Sequence, residues 1–64
     1  MTEIIAKIEG LLRQTTADRM WFSQEARRTG RHGLRIDAAA CAIREKALWD
    51  AISVLREEER RQAQ

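Results

Sequence analysis

The chain has 64 residues, 12 of them Lys or Arg and 10 Asp or Glu, for a net charge of +2. That is one domain at most, and one too small to bury a large share of its surface. A single Cys, a single His and no Pro exclude an internal disulfide and supply no metal-ligand set, so oligomerisation or a partner protein is left as the source of extra stability. No cofactor and no metal are expected.

The opening, Met1-Thr2-Glu3-Ile4-Ile5-Ala6-Lys7, carries charges where a secretory leader needs an apolar stretch. The longest apolar run, Ala38 to Ile43, is far short of the ~20 residues a membrane span requires. The expectation is a cytoplasmic protein without a membrane segment, and a lone free thiol agrees with a reducing compartment.

The first element is a predicted helix from about Thr2 to Thr29. Thr2 is its expected cap, with Glu3 in the first turn where the helix dipole favours an acid. Ile4, Ile5, Ile8, Leu11, Leu12, Thr15, Phe22 and Ala26 fall on one side at helical spacing. Glu9 and Arg13 are spaced as an i,i+4 pair. Gly10 weakens the early turns, and Thr15-Thr16-Ala17-Asp18 offers an alternative break near Thr15. Gly30 stands where a left-handed residue would stop the helix.

A turn over about residues 30–34 follows. Residues 27–35 hold Arg27, Arg28, Arg31, Arg35 and His32 but no acid, which leaves eight bases against ten acids elsewhere. Arginine forks suit phosphates and carboxylates, so this turn is a candidate binding patch. The alternative is a solvated turn in which Arg27 and Arg28 complement the dipole of helix 1. His32 reads as an exposed loop histidine.

The second helix is predicted from about Arg35 to Arg61, with Asp37 an alternative cap for a start at Ala38. Its apolar surface is wide. Ile36, Ile43, Ala47 and Val54 form one flank, Cys41, Leu48, Ile52 and Leu55 the other, and Ala40 and Ala51 lie between. This suits a helix wedged between two neighbours. Cys41 reads as a small buried hydrophobe. Residues 60–64 should fray.

Folded about Arg31-His32, residues facing each other have numbers adding to about 63. Ile8 then meets Leu55, Leu12 meets Ala51, Thr15 meets Leu48, and Phe22 meets Cys41. The expected fold is an all-α antiparallel helix-turn-helix hairpin, residues 2–29 and 35–61. Met20-Trp21-Phe22 points in three directions and Trp49 lies off its helix's central line, so one hairpin leaves apolar surface uncovered. Dimerisation into a four-helix bundle is the expected remedy. Arg19 and Arg44 fall inside the two stripes at the same level. They form an expected polar layer, answered by Asp18, Glu45 or Glu25 directly or across a dimer; or they bury their stems and reach solvent; or they make a slot for an acidic group of a partner.

In length and layout the chain resembles the Rop family of plasmid-encoded helical hairpins, whose dimers form four-helix bundles. The resemblance is architectural and carries over no residue.

No nucleophile-base set, carboxylate pair or phosphate loop stands out, so no enzymatic activity is expected. The functional expectation is a small regulatory or adaptor protein. It would act as a homodimer on another protein, in the manner of a phage or mobile-element inhibitor or accessory factor. Its contact residues would be Met20, Trp21 and Trp49 with Arg27, Arg28, Arg31 and Arg35. The alternative is a Rop-like dimer that binds RNA or DNA through the arginine-rich turn.

Overall fold

The computed structural model describes residues 1–63. Two helices, α1 (Thr2–Thr29) and α2 (His32–Ala63), pack against each other as a hairpin. The rod measures 52 × 15 × 11 Å. No helix among the described residues is long and apolar enough to cross a membrane.

Both helices follow an alternating spacing of three and four residues along the line where they meet. On α1, Ile5, Ile8, Leu12, Thr15, Arg19, Phe22 and Ala26 are all buried or half-buried. On α2 the same holds for Leu34, Ala38, Cys41, Glu45, Leu48, Ile52, Leu55 and Glu59. This is the heptad pattern of an antiparallel coiled coil. Cross-helix bonds join Thr2 to Glu59, Glu9 to Arg56, Thr16 to Glu45 and Arg19 to Glu45. Their residue numbers add to between 61 and 65, in agreement with the register expected from folding about Arg31-His32.

The core is uneven along the rod. Near the chain ends, Ile5, Leu12 and Ile52 pack with Ile8, Leu48 and Leu55. Near the turn the buried seam residues are small, Ala26 and Cys41, which lets the helices converge where the chain must reverse. Arg19 and Glu45, with Thr16 bonded to the same carboxylate, form a polar layer between these two ends.

The turn is tighter than the sequence suggests. Gly30 adopts φ 71° and ψ 12°, and its N–H donates to the Ala26 carbonyl at 2.8 Å. That left-handed residue reverses the chain at once, as expected for a helix-stopping glycine. Only Gly30 and Arg31 lie between the helices. The second helix therefore begins at His32 rather than near Arg35 or Ala38, which makes His32 a helical residue. The early start brings Leu34 half-buried against α1 as the first seam residue. The helix also persists to Ala63, beyond the expected end at Arg61 and through most of the expected frayed tail. Gln64 lies outside the described residues.

α1 runs unbroken through Thr15, as the expected helix from Thr2 to Thr29 requires, and the buried Thr15 hydroxyl donates to the Leu11 carbonyl at 2.8 Å instead of capping a new helix. Two other local expectations are corrected. Thr2 does not cap α1; its hydroxyl donates to the Glu59 carboxylate at 3.4 Å, and Met1 occupies the cap position without a side-chain bond. Glu9 pairs with Arg56 across the hairpin at 3.1 Å rather than with Arg13 along the helix.

Candidate functional site

Arg19 lies half-buried on the meeting line of the two helices, whereas Arg44 lies off it. Arg19 donates to the Glu45 carboxylate, which also accepts a 2.8 Å bond from the Thr16 hydroxyl. The Thr16 bond, with help from the Arg19 charge, holds the Glu45 carboxyl below the usual glutamate range against a partial loss of solvent. Arg44 does not join this layer. The seam runs Cys41-Glu45-Leu48, so Glu45 takes the inward place and Arg44, one residue earlier, is turned out about 100°. Arg44 is exposed and makes no ion pair among the described residues.

The residues expected to contact a partner are all exposed, but they do not form one patch. Arg35, Ala42, Trp49 and Arg56 recur every seven residues and mark one edge of α2. Arg56 is bonded to Glu9, so this edge borders the α1 line of Glu9, Thr16 and Ser23. Met20, four residues after Thr16, lies on the same side. Arg27 and Arg35 line one shallow hollow with Ser23, Ala26 and Ala38. One side of the hairpin therefore carries Met20, Trp49, Arg27 and Arg35.

Trp21 and Arg28 continue the line of Lys7 and Gln14, on the part of α1 turned away from that side. Trp21 is 55% exposed and meets Phe22 edge-on, with ring centroids 5.3 Å apart. Arg28 is engaged by Glu25 at 2.6 Å. That contact holds the Glu25 carboxyl below, and the Arg28 guanidinium above, their ordinary values. Arg31 stands in the two-residue link at the tip. Arg27, Arg31 and Arg35 have no acidic partner among the described residues.

A second apolar line runs along the outside of α2. Ile36, Ala40, Ile43, Ala47 and Val54 keep the same spacing of four and three, with Asp50 at the one polar step. They start two residues out of phase with the seam that faces α1, which places them on roughly the opposite side. Ile36 is 58% exposed, Ile43 74% and Val54 67%. On α1, Ile4 and Leu11 are also exposed, on the side away from Glu9. A compact monomer of 7.4 kDa is expected to expose about 4,200 Å²; this hairpin exposes 5043 Å².

No family model matches the chain, and neither a curated protein nor a solved structure is significantly similar to it.

Proposed function

We propose that this protein is a small non-enzymatic adaptor or regulator that acts by binding another protein, and that it works as a homodimer. The observation that carries the reading is the joint exposure of Trp49 and Met20 on the side of the hairpin that also bears Arg27 and Arg35. Tryptophan and arginine are the residue types most enriched at binding hot spots. A half-exposed tryptophan on a monomer this small loses stability unless something covers it. The homodimer is supported by the outer apolar line of α2, which one hairpin leaves in water.

The test is capture from a lysate of the native host, with nuclease treatment and at raised salt, using the whole chain and a Trp49→Ala variant. The reading expects a discrete protein that survives nuclease and ~0.5 M salt and is lost with Trp49→Ala, because contacts of this kind do not depend on counterion release. Capture unaffected by Trp49→Ala would overturn it.

A second reading, nucleic-acid binding at the tip, is favoured by one observation. The first turn of α2 contains no acid, while Arg27, Arg31 and Arg35 around it are without acidic partners. Capture that disappears with nuclease, and binding that weakens steeply with salt, would select this reading over the first.

A further inference from the structure

We infer that the outer line of α2 is the seat of a second copy of the chain, with the two α2 helices antiparallel and Ala40 of each opposite Ile43 of the other. The inference rests on the reading that the protein self-associates and adds the surface, direction and register.

Four features meet in this one arrangement. In the first, the outer line alternates large and small side chains, with Ile36 and Ile43 at one heptad position and Ala40 and Ala47 at the other. In an antiparallel pair these two positions face each other. A two-fold axis between Cys41 and Ala42 sets Ile36 on the partner's Ala47 and Ile43 on the partner's Ala40. Each large residue meets a small one, at four consecutive levels, so the backbones can approach closely. Moving the pair by a heptad in either direction removes two of these four layers.

The second feature is charge. Asp37 and Arg44 flank the outer line on one side, seven residues apart, and neither makes an ion pair among the described residues. In the stated register Asp37 of each chain lies beside the partner's Arg44, giving two symmetric ion pairs. This supplies a place for Arg44 that the hairpin alone does not. On the other flank Lys46 lies beside the partner's Ala39, where its aliphatic stem covers apolar surface.

Asp50 provides the third. It interrupts the apolar line, and in the hairpin it holds only Lys46, at 3.1 Å, in an exposed pair of the kind that contributes little. Antiparallel pairing brings Asp50 level with Gly33 of the partner, at the start of α2. That first turn lacks an acid of its own, and a carboxylate there complements the helix dipole. The interruption thus falls at the end of the partner helix, where an acid is favourable.

Area is the fourth. The surplus surface of the hairpin over a compact monomer, about 800 Å², is what each partner of a standard-size interface buries. The side bearing Met20, Trp49, Arg27 and Arg35 stays outside this contact and remains open to a different protein.

The test is sedimentation equilibrium on the full chain, with circular dichroism to verify that each variant is still helical. The wild type should sediment at about twice the 7.4 kDa monomer mass. Ala47→Glu, which puts a charge into the line at an exposed position of the hairpin, should weaken the dimer by about 100-fold or more without unfolding the monomer. Asp37→Arg and Arg44→Asp each place like charges opposite one another and should weaken it about tenfold. The double variant Asp37→Arg/Arg44→Asp should return to within about threefold of the wild type. A dimer indifferent to Ala47→Glu would overturn the surface but leave self-association standing. Loss with Ala47→Glu but no recovery in the double variant would overturn the register. A wild type that is monomeric at ~100 μM would overturn self-association itself, and the inference with it.

Discussion

Glu45 of α2 is bonded to Arg19 of α1 inside a mostly apolar meeting line. The same carboxylate accepts a bond from Thr16, so one side chain gathers two donors from the facing helix. Sliding α1 by a heptad would strip both bonds from Glu45 and place Leu12 or Ala26 where Arg19 now sits. The layer therefore costs apolar burial and contributes register, the best-attested use of a polar position in a coiled coil. Arg19 is partly solvated, with its side chain 38% exposed, so the loss on removing its partner is moderate. Glu45→Ala should destabilise the hairpin, and Glu45→Gln should do so by less because an amide still accepts from Thr16. Urea unfolding of the three proteins should give that order.

The same pair sets an acid limit. Glu45 is held below the usual glutamate range chiefly by the Thr16 bond, and Glu25 chiefly by Arg28. Each therefore contributes stability that is present above the unfolded glutamate value, about 4.3, and is lost as pH falls through its folded value. The melting temperature should be flat through neutral pH and drop below about pH 4. Glu45→Gln should begin lower and lose less over that acid range, because one of the two groups no longer titrates. Thermal melts from neutral pH down to about pH 2 would show it.

Two glycines three residues apart should respond with opposite sign to the same substitution. Gly30 holds φ 71°, a conformation that costs an L-residue about 1 kcal/mol or more. Gly30→Ala should destabilise by that amount even though a Cβ there would meet nothing within 4 Å. Gly33 sits in the first turn of α2 without a positive φ, and a Cβ there also meets open space. Gly33→Ala should stabilise by about 0.4–1 kcal/mol, through helix propensity and a less disordered unfolded chain. Denaturation midpoints of the two variants, on either side of the wild type, are the check.

The hairpin was legible in the sequence because its signals are local: two helical apolar spacings with a stopping glycine between them. The register was legible too, since folding at Arg31-His32 set apolar on apolar. Where the sequence misled, a long-range contact outweighed a local preference. Glu9 had Arg13 one turn away and took Arg56 instead. Thr2 had a cap to make and reached Glu59. Arg44 lay within the broad apolar sweep of the second helix, and only the path of the seam through Glu45 showed that it faces out. The residues proposed to contact a partner are the least legible group. Their exposure follows from the hairpin, but Trp21 and Trp49 stand on different sides of it, a separation set by the phase between two helices and invisible in either one alone.

That phase has a direct consequence for two isoleucines on α2. Ile52 is 1% exposed at the centre of the core near the chain ends, whereas Ile43 is 74% exposed on the outer line. Ile52→Ala removes packed atoms and leaves a cavity, and should cost about 2–4 kcal/mol at any protein concentration. Ile43→Ala removes nothing from the hairpin core and replaces a β-branched residue with the best helix former. In dilute solution, where the hairpin is alone, its effect should stay within about 0.5 kcal/mol. In the proposed dimer a second copy covers Ile43, and stability gained by association rises with concentration. The melting temperature of the wild type should therefore climb with protein concentration, and that of Ile43→Ala should climb markedly less. Melts of the three proteins across a hundredfold range of concentration separate the inner use of α2 from the outer one. Ile52→Ala shifts the whole curve down, whereas Ile43→Ala flattens its slope. Equal slopes for the wild type and Ile43→Ala would mean that the outer line is not where copies of this chain meet.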